Sequence, residues 1–202
     1  IEKVSECINK IGIGFMFAPS LHPAMKYAMG ARKSLGIRTV FNILGPLCNP
    51  AGVRRQLMGI YNGDLTEVVA NVFKRLGSIN AMVVHGSDGL DEITTTAKTK
   101  ISHLMETGKI VNESFSALEH GFALSSLDDL KGGDPELNAE IVKNILNGDK
   151  KDKMADIVIL NAAAGIFVGG KVENIKEGIC VAREMIDSGA AKNILNKLLK
   201  VR

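Results

Sequence analysis

A chain of 202 residues fits one domain, or one domain with an appendage, and it is rich enough in Ile, Val, Leu and Ala to bury a real core. The net charge of +3 comes from scattered basic residues and Trp is absent, so neither the concentrated basic face nor the stacking platform of a nucleic-acid binder is present. Cys7, Cys48 and Cys180 are odd in number and far apart, as reduced thiols of a cytoplasmic protein are; no secretory pattern opens the chain, and the longest apolar run, Ile157 to Val168, is too short to span a bilayer.

Ile1 to Lys10 reads as the tail of a helix with Ile1, Val4 and Ile8 on one side. It opens inside the apolar pattern without an N-cap, and so is expected to follow further chain. Ile13-Gly-Phe-Met-Phe17 reads as a short buried strand. Pro23 stands at a helix N1 with His22 as N-cap, and that helix runs to about Leu35 before Gly36. Thr39 to Leu44 is a short helix or extended turn ending at Gly45-Pro-Leu-Cys-Asn-Pro50, a loop with two prolines.

The middle of the chain reads as a βαβ unit. Leu57 to Tyr61 is a strand, Asp64 with Glu67 makes a box-like helix start, and Val68, Val69, Val72, Phe73 and Leu76 follow at helical spacing until Gly77. Ala81 to Val84 is the next strand, expected parallel to the first through a right-handed crossover. Ile101 to Met105 and Ile110-Val111 flank the turn dipeptide Thr107-Gly108, which makes the sheet mixed. Four helices close the chain. One opens at Asp134-Pro135 and ends at Gly148; Met154 to Phe167, apolar almost all round, is a core helix; Asn174 with Glu177 opens a third; Ser188 caps a last one ending in Leu198-Leu199.

The segment with most chemistry is His85-Gly-Ser-Asp-Gly-Leu-Asp-Glu-Ile93. Asp91 and Glu92 follow a glycine-punctuated turn beyond a buried strand, where ligands of α/β proteins collect. Adjacent carboxylates are hard oxygen ligands, and Mg²⁺ is typically held by one or two of them with phosphates and waters completing an octahedron. Taken alone, an Asp-Glu pair is more often a solvated turn. Arg32 can present a planar fork to a carboxylate, although from periodicity a solvated side chain is the commoner role. His22 is first of all a cap, and Gly45-Pro46 a turn signal before it is a pocket wall. His85 and His103 lack metal-ligand spacing with any Cys or second His.

Several long strings resemble the central and later parts of anthranilate phosphoribosyltransferases. They are Gly14 to Met25, Arg32 to Leu47, Asn49-Pro50, His85 to Ile93, and Leu160-Asn-Ala-Ala-Ala164. They occur in order and span nearly the whole chain. The related pyrimidine nucleoside phosphorylases share the architecture but not these strings. A non-catalytic binding or assembly module on the same scaffold is the other alternative. Anthranilate with phosphoribosyl pyrophosphate (PRPP), against nucleoside with phosphate, separates the two enzymes, and the module binds neither pair.

The resemblance implies a mixed α/β sheet flanked by helices, the larger domain of a two-domain fold of the nucleoside phosphorylase and phosphoribosyltransferase type. Residues 1–21 and 49–202 would belong to that domain, and residues 22–48 to a small helical domain with exposed apolar side chains such as Met25, Met29 and Phe41. It further implies an enzyme of tryptophan biosynthesis that moves the phosphoribosyl group of PRPP to anthranilate, and a homodimer in the complete protein. By the family's pattern Asp91 and Glu92 serve magnesium, Arg32 binds the anthranilate carboxylate, and His22 and Pro46 line its channel. The family's Gly-Thr-Gly-Gly-Asp loop and Lys-His-Gly-Asn segment do not occur in these 202 residues. The expectation is therefore a C-terminal portion without phosphoribosyl transfer of its own.

Overall fold

A computed structural model describes residues 2–17, 30, 34 and 41–201. His22 and Arg32 lie outside the described residues, as do Met25, Met29 and the side chain of Phe41. Contacts divide the chain into two compact units, residues 1–52 with 193–202, and residues 53–192.

In the first unit, α1 (Glu2–Ile11) and α2 (Phe41–Leu47) are helices, and Gly30 and Ser34, inside the predicted 23–35 helix, are helical. The predicted strand at residues 13–17 does not form. These residues carry no ladder, and Phe15 is 74% exposed. The segment instead turns back on α1: a Cβ on Gly14 would stand 2.8 Å from Ile8 Cγ1 and 2.9 Å from Val4 Cγ1. An apolar run becomes a strand only where a neighbouring strand takes its backbone groups. Pro46, expected in a loop, lies in the last turn of α2, which Cys48 N–H closes onto Leu44 O at 2.9 Å.

The second unit holds a four-stranded sheet in the order β1 (Arg55–Gly59), β2 (Asn80–Gly86), β3 (Lys98–Leu104), β4 (Ile110–Ser116). β1 and β2 are parallel, and the other two pairs antiparallel, so the mixed sheet is as predicted. The β1–β2 crossover is α3 (Thr66–Arg75). Its start differs from the expectation. Asp64 sits in a 3₁₀ turn at Gly63–Leu65, and the side chain that caps it is Asn62, which accepts from Asp64 N–H. Val69, Ala70 and Phe73 of α3 are buried, whereas Val68 and Leu76 face solvent, so the inward stripe is narrower than the apolar spacing implied.

On the other face lie α5 (Lys153–Val168) and α6 (Ile175–Asp187), preceded by α4 (Pro135–Leu146). Asp134 caps α4 through Leu137 N–H, and Asn174 caps α6 through Glu177 N–H, as expected. Met82 and Val84 of β2 pack with Ile93, Leu160, Ala163, Ala164 and Ile179. Ala81 and Val83, at alternate positions, point the opposite way, toward the α3 side. Small residues set the helix spacing: a Cβ on Gly178 would stand 2.6 Å from Ala163 O, so α5 and α6 meet almost backbone to backbone. Ser188 is the C-cap of α6 rather than an N-cap, and Gly189, at φ +73°, turns the chain into α7 (Ala190–Lys200). No described helix is long and apolar enough to cross a membrane.

Candidate functional site

The parallel β1–β2 pair delivers two loops side by side. Ile60 N–H bonds Val84 O at 2.9 Å beyond the end of β1, and a ring nitrogen of His85 meets Ile60 O at 2.8 Å. Asp91 and Glu92 lie in the second loop, between β2 and β3, and both are exposed. The loop is drawn tight against the sheet. A Cβ on Gly59 would overlap the Asp91 carbonyl oxygen, so only glycine at the end of β1 admits the acid pair there.

A third acid organises the loop. Asp88 accepts from Leu90 N–H at 2.9 Å, from Thr94 Oγ1 at 2.6 Å, and from the Thr96 hydroxyl. Burial works to raise the Asp88 carboxyl, but these donors outweigh it and hold the group below the usual carboxylate value. Gly89, at φ +97°, allows the chain to reverse inside this cradle. Beyond the pair, Asn161 of α5 accepts from Ile93 N–H at 2.9 Å and donates to Ile93 O at 2.8 Å. A second bond from its amide, to Ile157 O at 3.0 Å, fixes the carboxamide on its own helix.

Asp91 and Glu92 differ from Asp88 in having no side-chain hydrogen-bond or ion-pair partner among the described residues. Glu92 is raised above the ordinary carboxyl value, first by loss of hydration against the surrounding protein and then by the Asp91 charge. Two neighbouring carboxylates left open in this way, beyond the carboxyl ends of the parallel strands, are the donor type a hard cation takes. Among the described residues no third His, Cys, Asp or Glu joins them in a metal-holding group. A donor set of two carboxylates matches Mg²⁺ that shares its remaining positions with phosphate and water.

Of the residues singled out from sequence, Asp91 and Glu92 lie side by side in the β2–β3 loop. Pro46 is in the other compact unit, on the exposed side of α2. Asp88, Thr94, Thr96 and Asn161 join the site without having been singled out. Their signals are present in the chain: three consecutive threonines after the acids, and Asn161 as the sole strongly polar side chain in the run 157–168. A cavity of about 280 Å³ lies elsewhere, among Lys150, Lys151, Asp156, Ile159, Arg183 and Asp187. It contains none of the predicted site residues, and its Lys151 is already paired with Asp187 at 3.1 Å.

Residues 1–192 match the family model described as glycosyl transferase family, a/b domain. The chain belongs to this family. Among curated relatives of this glycosyl transferase domain, the anthranilate phosphoribosyltransferase of Acetivibrio thermocellus is 51% identical over 198 residues, which are 98% of this chain and 57% of that protein. The chain thus spans little more than half the length of the curated relatives it matches. The crystal structure of anthranilate phosphoribosyltransferase from Thermus thermophilus superposes with a TM-score of 0.91 at 38% identity, covering 98% of this chain and 58% of that one. The Saccharomyces cerevisiae enzyme is also similar. Its complex with 4-fluoroanthranilate has a TM-score of 0.91 at 29% identity, covering 99% of this chain and 57% of that one. Its complex with PRPP and Mg has a TM-score of 0.81 at 30% identity, covering 89% and 52%. The mixed α/β architecture expected from sequence is therefore the one these enzymes share.

Proposed function

We propose that this glycosyl transferase domain is part of an anthranilate phosphoribosyltransferase, in which Asp91 and Glu92 hold Mg²⁺ together with PRPP. The observation that carries the reading is the acid pair beyond the parallel strands, without a partner among the described residues, in a chain of this likeness to those enzymes. The yeast complexes, with 4-fluoroanthranilate and with PRPP and Mg, support the same pair of substrates. Arg32 would take the anthranilate carboxylate, with His22 and Pro46 along its channel. Residues 22–48 would belong to the small helical domain of a homodimeric cytoplasmic enzyme.

In the reaction, the anthranilate nitrogen forms a bond to the anomeric carbon as the bond to pyrophosphate breaks. The electron pair leaves with pyrophosphate, and the nitrogen's proton passes to solvent. Magnesium, when bound, supplies charge stabilisation for the leaving pyrophosphate. Asp91 and Glu92 contribute by fixing that charge in place, and Arg32 by orienting the nucleophile. An aryl amine is neutral near pH 7 and needs no strong base, so positioning and electrostatics carry most of the acceleration.

The test is release of pyrophosphate from PRPP by the complete protein with anthranilate and Mg²⁺. Asp91→Asn with Glu92→Gln should lower turnover by about 10²-fold or more. Stability should move by only about 0.5 kcal/mol, because both groups are exposed and make no side-chain hydrogen bond among the described residues. Unchanged turnover and magnesium dependence in that variant would remove the acid pair from the mechanism.

A further inference from the structure

The acid pair is useful only if its loop is held at one place, because neighbouring residues of an extended chain face opposite ways. Asp88 bonds only within the loop, to Leu90, Thr94 and Thr96, and so sets its shape. Its place against the rest of the molecule is a separate matter. Immediately after Glu92, both backbone polar groups of Ile93 are taken by one side chain 68 residues further along, Asn161. Its carboxamide pairs with the Ile93 N–H and C=O as a neighbouring strand would. The rest of the Asn161 amide bonds Ile157 O, so the side chain has no freedom to follow the loop if the loop shifts. The Ile93 side chain is itself fully buried against Leu160 and its neighbours, which makes the tether rigid.

We infer that Asn161 is a positioning residue for the magnesium–pyrophosphate end of the reaction, acting through the Ile93 backbone on Glu92 and Asp91. This rests on the reading of the acid pair given above. Apolar packing of α5 on the sheet needs no polar group at this position, and its neighbours Leu160, Ala163 and Ala164 supply that packing. Groups that orient ligands from behind usually matter about 10- to 100-fold for metal affinity.

The experiment is calorimetric titration of PRPP into the complete protein at fixed Mn²⁺, which replaces Mg²⁺, alongside thermal unfolding. Asn161→Ala should raise the Kd for PRPP about ten-fold. Val168→Ala, at the far end of α5 and buried in the core, is the control for general loosening of the helix and should change Kd less than about two-fold, on the order of measurement error. Should Asn161→Ala fail to fold, Asn161→Ser carries the same expectation. An unchanged Kd in the Asn161 variant, or an equal rise in the Val168 variant at equal loss of stability, overturns the positioning role. Asp91→Asn with Glu92→Gln separates this from the underlying reading. If that variant loses PRPP affinity while Asn161→Ala keeps it, only the tether fails; if it keeps full affinity, the acid-pair reading and the tether fail together.

Discussion

The two ends of the β1–β2 pair are both polar, and they handle polarity in opposite ways. At the amino end His103, Asn80 and Arg55 are all matched. His103 Nε2–H donates to Asn80 Oδ1 at 2.8 Å, and its ring stands edge-on to Phe167 at 5.4 Å. Arg55 donates to Val168 O at 3.0 Å and pairs with Glu106 at 2.7 Å. At the carboxyl end the matched groups, Asp88 and Asn161, serve the backbone of one loop. That loop then presents two acids with no partner among the described residues. A closed cluster stabilises its fold and has no capacity left for a ligand. An acid pair held in place but left open has that capacity, and Glu92 is raised above the ordinary carboxyl value first by loss of hydration and then by the Asp91 charge.

The sharpest way to break the carboxyl end is through Gly59. In Gly59→Ala the new methyl would overlap the Asp91 carbonyl, so either the loop or the end of β1 must move. The expected loss is about 3 kcal/mol in chemical denaturation, and the pyrophosphate release proposed for the complete protein should fall as well. Gly108→Ala, in the β3–β4 turn near the amino end, is the matched control. Its Cβ would meet nothing, and φ +77° alone should cost about 1 kcal/mol with activity kept. Equal losses of activity in the two variants would erase the distinction between the ends.

Asp88→Asn tests whether the loop's shape depends on a charged acceptor. An amide offers one acceptor oxygen where the carboxylate takes Leu90, Thr94 and Thr96. The expected cost is about 2 kcal/mol at neutral pH. The folded Asp88 carboxyl lies below its ordinary value of 3.8, so its contribution is fully present above that value. It fades as pH falls through the lower, folded value. The gap between wild type and variant should therefore narrow in urea melts as pH is lowered below 3.8. A constant gap at all pH would show that the threonines bind a neutral group equally well.

How much of this is legible in the sequence depends on how local the cause is. The parallel strands, the Gly108 hairpin and the caps at Asp134 and Asn174 are set by residues close together in the chain, and sequence and structure agree on them. The 13–17 segment differs because apolar composition alone cannot say whether a neighbouring strand is at hand. Asp64 differs because a 3₁₀ turn intervenes and Asn62 takes the cap two residues earlier. The acids Asp91 and Glu92 are legible as a motif, but the groups that hold them are not. Asn161 acts across 68 residues, and Gly59 matters only because another segment's carbonyl occupies the space of its missing side chain.

The smallest effect belongs to the amino end and concerns pH. Burial lowers His103 below the ordinary histidine value of 6.5, because the closed site with Asn80 and Phe167 disfavours the imidazolium. Between that depressed value and 6.5 the unfolded chain binds a proton that the folded chain does not. Stability therefore falls as pH drops below 6.5, with a slope of at most about 1.4 kcal/mol per pH unit from this group. His103→Gln keeps a donor for Asn80 but cannot titrate. It should cost about 1 kcal/mol at pH 8 and flatten the fall of the thermal midpoint as pH drops below 6.5. The acid pair at the other end should be indifferent, so the magnesium dependence proposed for the complete protein should match wild type. An unaltered slope in the variant would mean that the amino-end cluster admits the charged imidazole, and that it is less closed than its hydrogen bonds imply.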